Sequence, residues 1–449
     1  MEAHTPVLTQ SVTSPYSSSH LPLRSVAVLG AGTMGSQIAA HAANAGLQVL
    51  LLDLPGQGAD RNEIVRSGLA RAVKLRPDPF FDEAARQRVR VGNFEDDLKQ
   101  IADADWIIEA VVERADVKRP LLERIASVAS DDAIVSTNTS GIPVAELAEG
   151  LPASFRRRLL GTHFFNPPRY LRLLEVIPTP DTDPEVVARV ARFARLHLGK
   201  GIVIANDRPY FIANRIGVYA MLRAMRFFLD GEYTIEEIDA VTGTLIGRPS
   251  SATFRTADVV GLDVLMDVLT GMGERLTSDE SRDQFQPPPL LQGLVGAGAK
   301  GAKVGAGFYR KEDGVIKSIA RDGSGYEAHA VDAGFLSEFE SIRDLDQRMV
   351  ALYESDSRAG RLFRESTLDV LAYAARRVPE VTPNPADLDR ALRWGFGWEK
   401  GPFEIWETLG FDRVRSDMER AGIAVPEWVA RARDGIYRRR GEHTAVFIP

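Results

Sequence analysis

Ser25-Val-Ala-Val-Leu29, Gly30-Ala-Gly-Thr-Met-Gly35 and Gln48-Val-Leu-Leu-Leu-Asp53 decide the fold of this chain. The first and third are short apolar runs of the kind that form buried strands. Between them lies a helical stretch, Ser36-Gln-Ile-Ala-Ala-His-Ala-Ala-Asn-Ala45, which stops at Gly46, a natural helix end. Strand, helix and strand within about 30 residues make a βαβ unit, which implies a parallel sheet.

The glycines have separate tasks. Gly30 allows the tight turn, Gly32 lets the backbone approach a pyrophosphate, and Gly35 permits close packing of helix on sheet. The N-terminus of the helix that follows offers free N–H groups and positive dipole to phosphates. Asp53 ends the second strand 23 residues after Gly30, where a carboxylate accepts hydrogen bonds from ribose hydroxyls. A 2′-phosphate would meet it as like charge, and Leu54-Pro55-Gly56 brings no cation. The pattern therefore predicts a dinucleotide site for NAD rather than NADP. A purely structural turn, with Asp53 capping a loop, is the alternative, and the complete strand–turn–helix–strand context weighs against it.

Outward from this unit, Trp106–Val112, Ala133–Ser136, Leu159–Phe165, Leu173–Ile177 and Gly201–Ala205 read as further strands, with helices over 117–129 and 184–198. An α/β Rossmann-type doubly wound sheet is expected over 24–206. From Asp207 the pattern turns helical, so all-α C-terminal domains follow. Phe211–Leu229 is one long helical segment, and Thr234 starts another with Glu236 and Glu237 in its first turn. Residues 278–310 read as irregular.

An internal repeat follows. Ile238-Asp239, Gly247-Arg-Pro-Ser-Ser-Ala-Thr-Phe254 and Gly261-Leu-Asp263 are echoed by Leu388-Asp389, Gly397-Trp-Glu-Lys-Gly-Pro-Phe403 and Gly410-Phe-Asp412. Two helical repeats are expected, the second degenerate. The expected organisation is a disordered tail over 1–23, the sheet domain over 24–206 and a first helical domain over 207–310. A linker over 311–344, a second helical domain over 345–432 and a basic tail over 433–449 complete it.

Composition bounds the function classes. The chain has 449 residues, a net charge of −7 and no Cys, which excludes disulfides, thiolate metal sites and a cysteine nucleophile. No overall basic field favours nucleic acid. No run approaches the roughly 20 apolar residues of a membrane-spanning helix. Residues 1–23 contain neither Lys nor Arg, unlike a secretory or mitochondrial leader, so a cytoplasmic location is expected.

His163 lies at a strand end, in Gly161-Thr-His-Phe-Phe-Asn-Pro-Pro168, and such ends line the ligand crevice of open α/β sheets. Glu175 sits inside the next strand pattern, where an unpaired carboxylate is costly. A pair between them would make the histidine a better base, or would be a buried structural ion pair; spacing alone leaves both open. Asn138-Thr-Ser140 and Asn214 bring amide and hydroxyl groups to the same region, each also readable as a helix cap. His41 and His197 sit within helices and read as structural.

Gly30–Gly35, Glu109-Ala-Val-Val-Glu113 with Lys118, Ser136-Thr-Asn-Thr-Ser140, Gly161-Thr-His-Phe-Phe-Asn-Pro167 and Phe211-Ile-Ala-Asn-Arg215 recur in this order. In this the chain closely resembles the L-3-hydroxyacyl-CoA dehydrogenase family of fatty-acid β-oxidation, over about 24–432. It is most similar to the dehydrogenase portion of bacterial bifunctional enzymes. The resemblance implies NAD-dependent oxidation of L-3-hydroxyacyl-CoA to the 3-keto product. His163 would be the base and Glu175 its orienting partner, with Ser140 and Asn214 holding the substrate oxygen. Gly30, Gly32, Thr33, Met34, Gly35, Asp53, Glu113, Lys118, Asn138 and Asn166 would contact the cofactor; no metal is expected.

Tyr210, in Arg208-Pro-Tyr-Phe-Ile-Ala-Asn214, departs from the family, where a small residue usually follows the proline. Asp207-Arg-Pro209 stands where Asp-Thr-Pro is common. The bifunctional relatives also carry a hydratase domain for which 449 residues leave no room, so a separate enoyl-CoA hydratase or thiolase is the expected partner. With two helical copies in one chain, a monomer is expected over a dimer. A dehydrogenase of another small β-hydroxy acid, and a catalytically silent NAD-binding protein, are the competing readings.

Overall fold

The computed structural model describes residues 23–440 and 443–449. The expected disordered tail over 1–23 lies outside the described residues except for Leu23, which is buried in the core beside the first strand. Among the described residues, eight strands form one sheet: β1 (Ser25–Leu29), β2 (Gln48–Asp53), β3 (Val89–Asn93), β4 (Trp106–Glu109), β5 (Ile134–Thr137), β6 (Leu159–Phe164), β7 (Leu173–Pro178) and β8 (Gly201–Ile204). The strand order is β3-β2-β1-β4-β5-β6-β7-β8, and helices cover both faces. No helix among the described residues is long and apolar enough to cross a membrane.

Two features of the sheet depart from the sequence reading. The β3 strand, Val-Arg-Val-Gly-Asn, escaped it because this edge strand is half-exposed and shows no continuous apolar run. The sheet is also not wholly parallel, since β7 runs antiparallel to β6. Only residues 165–172 join these strands, and a parallel crossover needs a dozen or more. The short connection forces the chain straight back, and the resulting register decides the site.

The helical part opens with Ala213–Leu229. The Arg358–Arg377 helix of the second unit packs on it, with the rings of Tyr219 and Tyr373 stacked 3.8 Å apart. The repeat seen in the sequence is carried by two acids. Asp239 accepts from the N–H groups of Thr253 and Phe254, and Asp389 from those of Phe403 and Glu404, 14 and 15 residues further on in both cases. The hydroxyl of Tyr309 donates to Asp239, and that of Tyr437 to Asp389. Each tyrosine then opens an antiparallel hairpin, β9 (Tyr309–Glu312) with β10 (Val315–Ile319), and β12 (Tyr437–Arg440) with β13 (His443–Val446).

The second unit therefore runs past 432, and residues 433–449, expected as a tail, include its closing hairpin. The expected linker over 311–344 is likewise structured. Between β9 and β12, β11 (Tyr326–Glu327) joins β9 and β10 in a small sheet, pinned where Arg321 donates to the Phe228 carbonyl and Tyr326 to the Gly307 carbonyl. Exposed charged positions such as Arg310 and Lys311 disguise it in the sequence. Residues 278–310 hold a helix over Pro289–Gly296. Pro289 takes its first position, where a missing N–H is harmless, and Pro288 stands at its N-cap.

Candidate functional site

The carboxyl ends of β1, β2, β4, β5 and β6 share one edge of the sheet, and every residue expected at the site before Glu175 lies on or just beyond it. At the end of β1 the glycines behave as their spacing demands. Gly30 has φ of 109°, and a Cβ there would lie 2.5 Å from the Ala110 carbonyl oxygen. A Cβ on Gly35 would sit 1.8 Å from the Gly30 oxygen, whereas one on Gly32 would meet nothing within 4 Å. Gly32 thus leaves open space, and the Thr33–Asn44 helix starts there with no side-chain cap, so its first N–H groups are free for an anion. Asp53 accepts from the Ala31 N–H at 2.6 Å and the Leu54 N–H at 2.7 Å, which braces the glycine turn. An ionised carboxylate has about four acceptor positions, so capacity for a ribose remains.

After β4, Glu113 accepts from the Ser140 N–H, the Gly141 N–H and the Thr139 hydroxyl, and lies 3.3 Å from Lys118. Burial pushes the Glu113 carboxyl up, but Lys118 and the three donors outweigh it and hold it below its ordinary value. Lys118 is itself buried, and its Nζ donates to Glu109 at 2.8 Å and to the Val111 carbonyl. It fixes the loop that carries Glu113. Asn138 accepts from the Phe164 N–H and ties the end of β5 to that of β6. Asn166 accepts from Gln37 of the first helix.

The antiparallel pairing of β6 with β7 sets His163 directly opposite Glu175. Residues so opposed point to the same face. His163 Nδ1 lies 2.7 Å from Glu175 Oε2, and the other carboxylate oxygen accepts from the N–H groups of Ile212 and Ala213 at 3.1 and 2.8 Å. Those N–H groups are orphans of the Ala213–Leu229 helix N-terminus, so the buried charge has donors on both oxygens. The ring of His163 is walled by Phe165 and Phe211, with centroids 4.3 and 5.7 Å away. Asn214 directly follows Ala213, which brings it to the same junction. Among the described residues, His163 Nε2, the Ser140 hydroxyl and the Asn214 amide take no hydrogen-bond partner.

Three contributors lie outside the residues expected at the site. Glu109, buried at the end of β4, accepts from Lys118 and Thr137; a carboxylate inside a strand pattern was its signal. Thr139 holds Glu113. The paired N–H groups of Ile212 and Ala213 leave no signal in side-chain chemistry.

Known proteins resemble this chain over both of its parts. The NAD binding domain of 3-hydroxyacyl-CoA dehydrogenase matches residues 25–208, and the C-terminal domain of the same enzymes matches 211–311. A probable 3-hydroxyacyl-CoA dehydrogenase of Bacillus subtilis is 39% identical over 95% of this chain, which spans 58% of that relative's length. One of Deinococcus radiodurans is 48% identical over 65% of this chain and 84% of its own. The fold of 3-hydroxybutyryl-CoA dehydrogenase from Escherichia coli covers 92% of this chain and 98% of its own, with a TM-score of 0.66 at 22% identity. On both domain matches and on these identities, the chain belongs to the 3-hydroxyacyl-CoA dehydrogenase family.

Proposed function

We propose that this chain oxidises the 3-hydroxyl of an L-3-hydroxyacyl-CoA with NAD, His163 acting as general base. The observation that carries the reading is the buried His163–Glu175 pair at the carboxyl edge of the sheet, with Nε2 left free. Glu175 is held through both oxygens, so it fixes the ring with Nδ1 as donor and Nε2 as acceptor. The same carboxylate stabilises the imidazolium formed when Nε2 takes the hydroxyl proton. Ser140 and Asn214, whose side-chain donors are unpartnered, hold the substrate oxygen as its charge changes. The open space at Gly32 and the free N–H groups of its helix fit the pyrophosphate of NAD, with Asp53 positioned for a ribose. Bound NAD supplies the hydride acceptor for C3 of the substrate. The reading places the chain in fatty-acid β-oxidation, taking its substrate from an enoyl-CoA hydratase and passing the product to a thiolase.

A direct test follows NADH absorbance with acetoacetyl-CoA, with free acetoacetate and NADPH as controls. Turnover that needs both thioester and NADH is expected. Turnover of free acetoacetate would instead favour a dehydrogenase of a small β-hydroxy acid. His163→Ala lowers kcat by about 10²–10⁴-fold, and Glu175→Gln lowers it as well, while NADH affinity stays within a few-fold. Equal loss of turnover and NADH binding would count against the assigned roles.

A further inference from the structure

Tyr210 stands in the segment that leaves the sheet domain and enters the helical one, and its backbone is held where aromatic residues rarely go. Its φ is 63°, and that of Phe211 is 47°, both in the left-handed region. Such a conformation persists at a bulky residue only where the surroundings over-determine it. Here they do. The Tyr210 ring is buried, and two glycines from different domains make room for it. A Cβ on Gly141 would lie 2.5 Å from the ring, and a Cβ on Gly271 would lie 2.1 Å from the hydroxyl. The ring therefore spans the groove from the Ser140–Gly141 turn to the Leu262–Arg275 helix. An ion pair between Arg275 and Glu146 at 2.8 Å closes the same junction beside it.

This position is close in the chain, or packed close, to both groups that the dehydrogenase reading puts on the substrate oxygen. Gly141 follows Ser140, and Tyr210 lies four residues before Asn214. A substrate oxygen held by these two groups places C3 next to the Tyr210 ring. Of the two substituents on C3, the one leading to the thioester must run outward, because coenzyme A is large and carries charged phosphates that need water. The other, the acyl tail, is the one that can end inside the protein. Among the described residues the Tyr210 hydroxyl takes no hydrogen bond, so it is not kept in place as a structural polar anchor.

Resting on the dehydrogenase reading above, we infer that Tyr210 is a specificity-determining wedge that closes the inward end of the acyl site and restricts the enzyme to short 3-hydroxyacyl chains. Phe211 and Phe165 form the apolar wall beside His163, and Tyr210 directly precedes Phe211.

The test compares kcat/KM for acetoacetyl-CoA and 3-ketohexadecanoyl-CoA, with NADH, in the wild type, Tyr210→Gly and Tyr210→Phe. Glycine suits a left-handed backbone, so the first variant removes the ring without adding strain. Tyr210→Asn, also tolerant of this conformation, replaces it should the glycine variant fail to fold. The wild type is expected to favour the four-carbon thioester by at least about 100-fold, a size that pocket exclusion supplies. Tyr210→Gly should cut that ratio at least tenfold, chiefly through a lower KM for the long chain, and Tyr210→Phe should keep it. Equal use of both chains by the wild type, or an unchanged ratio in the glycine and asparagine variants, overturns the wedge while leaving the dehydrogenase reading intact. Failure of the wild type to reduce either thioester overturns both.

Discussion

Glu175 is fully buried, and a carboxylate in that position is tolerable only because His163 and the N–H groups of Ile212 and Ala213 surround it. Its placement couples two domains, since the donors come from the helical side and the histidine from the sheet. His41 makes the opposite case. Its Nε2 meets the Leu198 carbonyl at 3.1 Å inside the core. Burial, and then the nearby charge of Lys200, push its pKa down from 6.5 to about 3. Between these values the unfolded chain holds one proton more than the folded one, so stability rises with pH across that window. The contribution is up to about 1.4 kcal/mol per pH unit, lost as pH falls from 6.5 towards 3. Thermal midpoints measured from pH 4 to 7 should therefore climb less steeply in His41→Gln than in the wild type. Identical slopes would remove His41 from the account.

At the scale of elements, the two helical units share a device that neither helix could supply alone. The helices Phe254–Val260 and Pro402–Leu409 receive no side-chain cap from their own first residue. Their N–H groups instead meet Asp239 and Asp389 from the preceding helix of each unit, and the tyrosines opening β9 and β12 seal the same carboxylates. Asp389→Ala should destabilise the protein by about 1–3 kcal/mol, because it orphans buried N–H groups and the Tyr437 hydroxyl together. Tyr437→Phe should cost about 1 kcal/mol. Urea unfolding midpoints check both, and an alanine variant as stable as the wild type would contradict the capping role.

Across the whole molecule, a buried charge network joins the second helical unit to the junction that carries Asn214. Arg215, next to Asn214, donates to Asp279 at 2.6 Å, to the Tyr373 hydroxyl at 2.8 Å and to Glu380 at 3.0 Å. Arg377 meets the same Asp279 at 2.8 Å. Burial pushes the Asp279 carboxyl up, and Arg377 and Arg215 overcome this and hold it down. Asn206, in the segment between domains, donates to the Pro379 and Glu380 carbonyls. Removing one partner of such a network strands the others without a counter-charge. Asp279→Ala should therefore cost about 3–5 kcal/mol, read as a shift of the urea midpoint, and a loss below 1 kcal/mol would show that the network carries little.

The sequence by itself determined what depends on local pattern. The βαβ unit, the three glycine tasks, the strand end bearing His163 and the paired repeat were all legible, because chain geometry over a few residues sets which types can stand there. Contacts between residues distant in the chain were not. Whether His163 and Glu175 meet depended on β7 turning back on β6, which the eight residues from 165 to 172 enforce. The donors at Ile212 and Ala213, 37 and 38 residues beyond Glu175, are backbone groups that every residue but proline carries, so no residue type announces them. Lys118, expected at the cofactor, also braces the loop between Glu109 and Glu113, and only the packed fold shows which carboxylates surround it. Tyr210 stood out in the sequence by its size. That its ring fills a groove between two glycines of different domains was decided by the tertiary structure alone, since only folding brings Gly141 and Gly271 to one side chain.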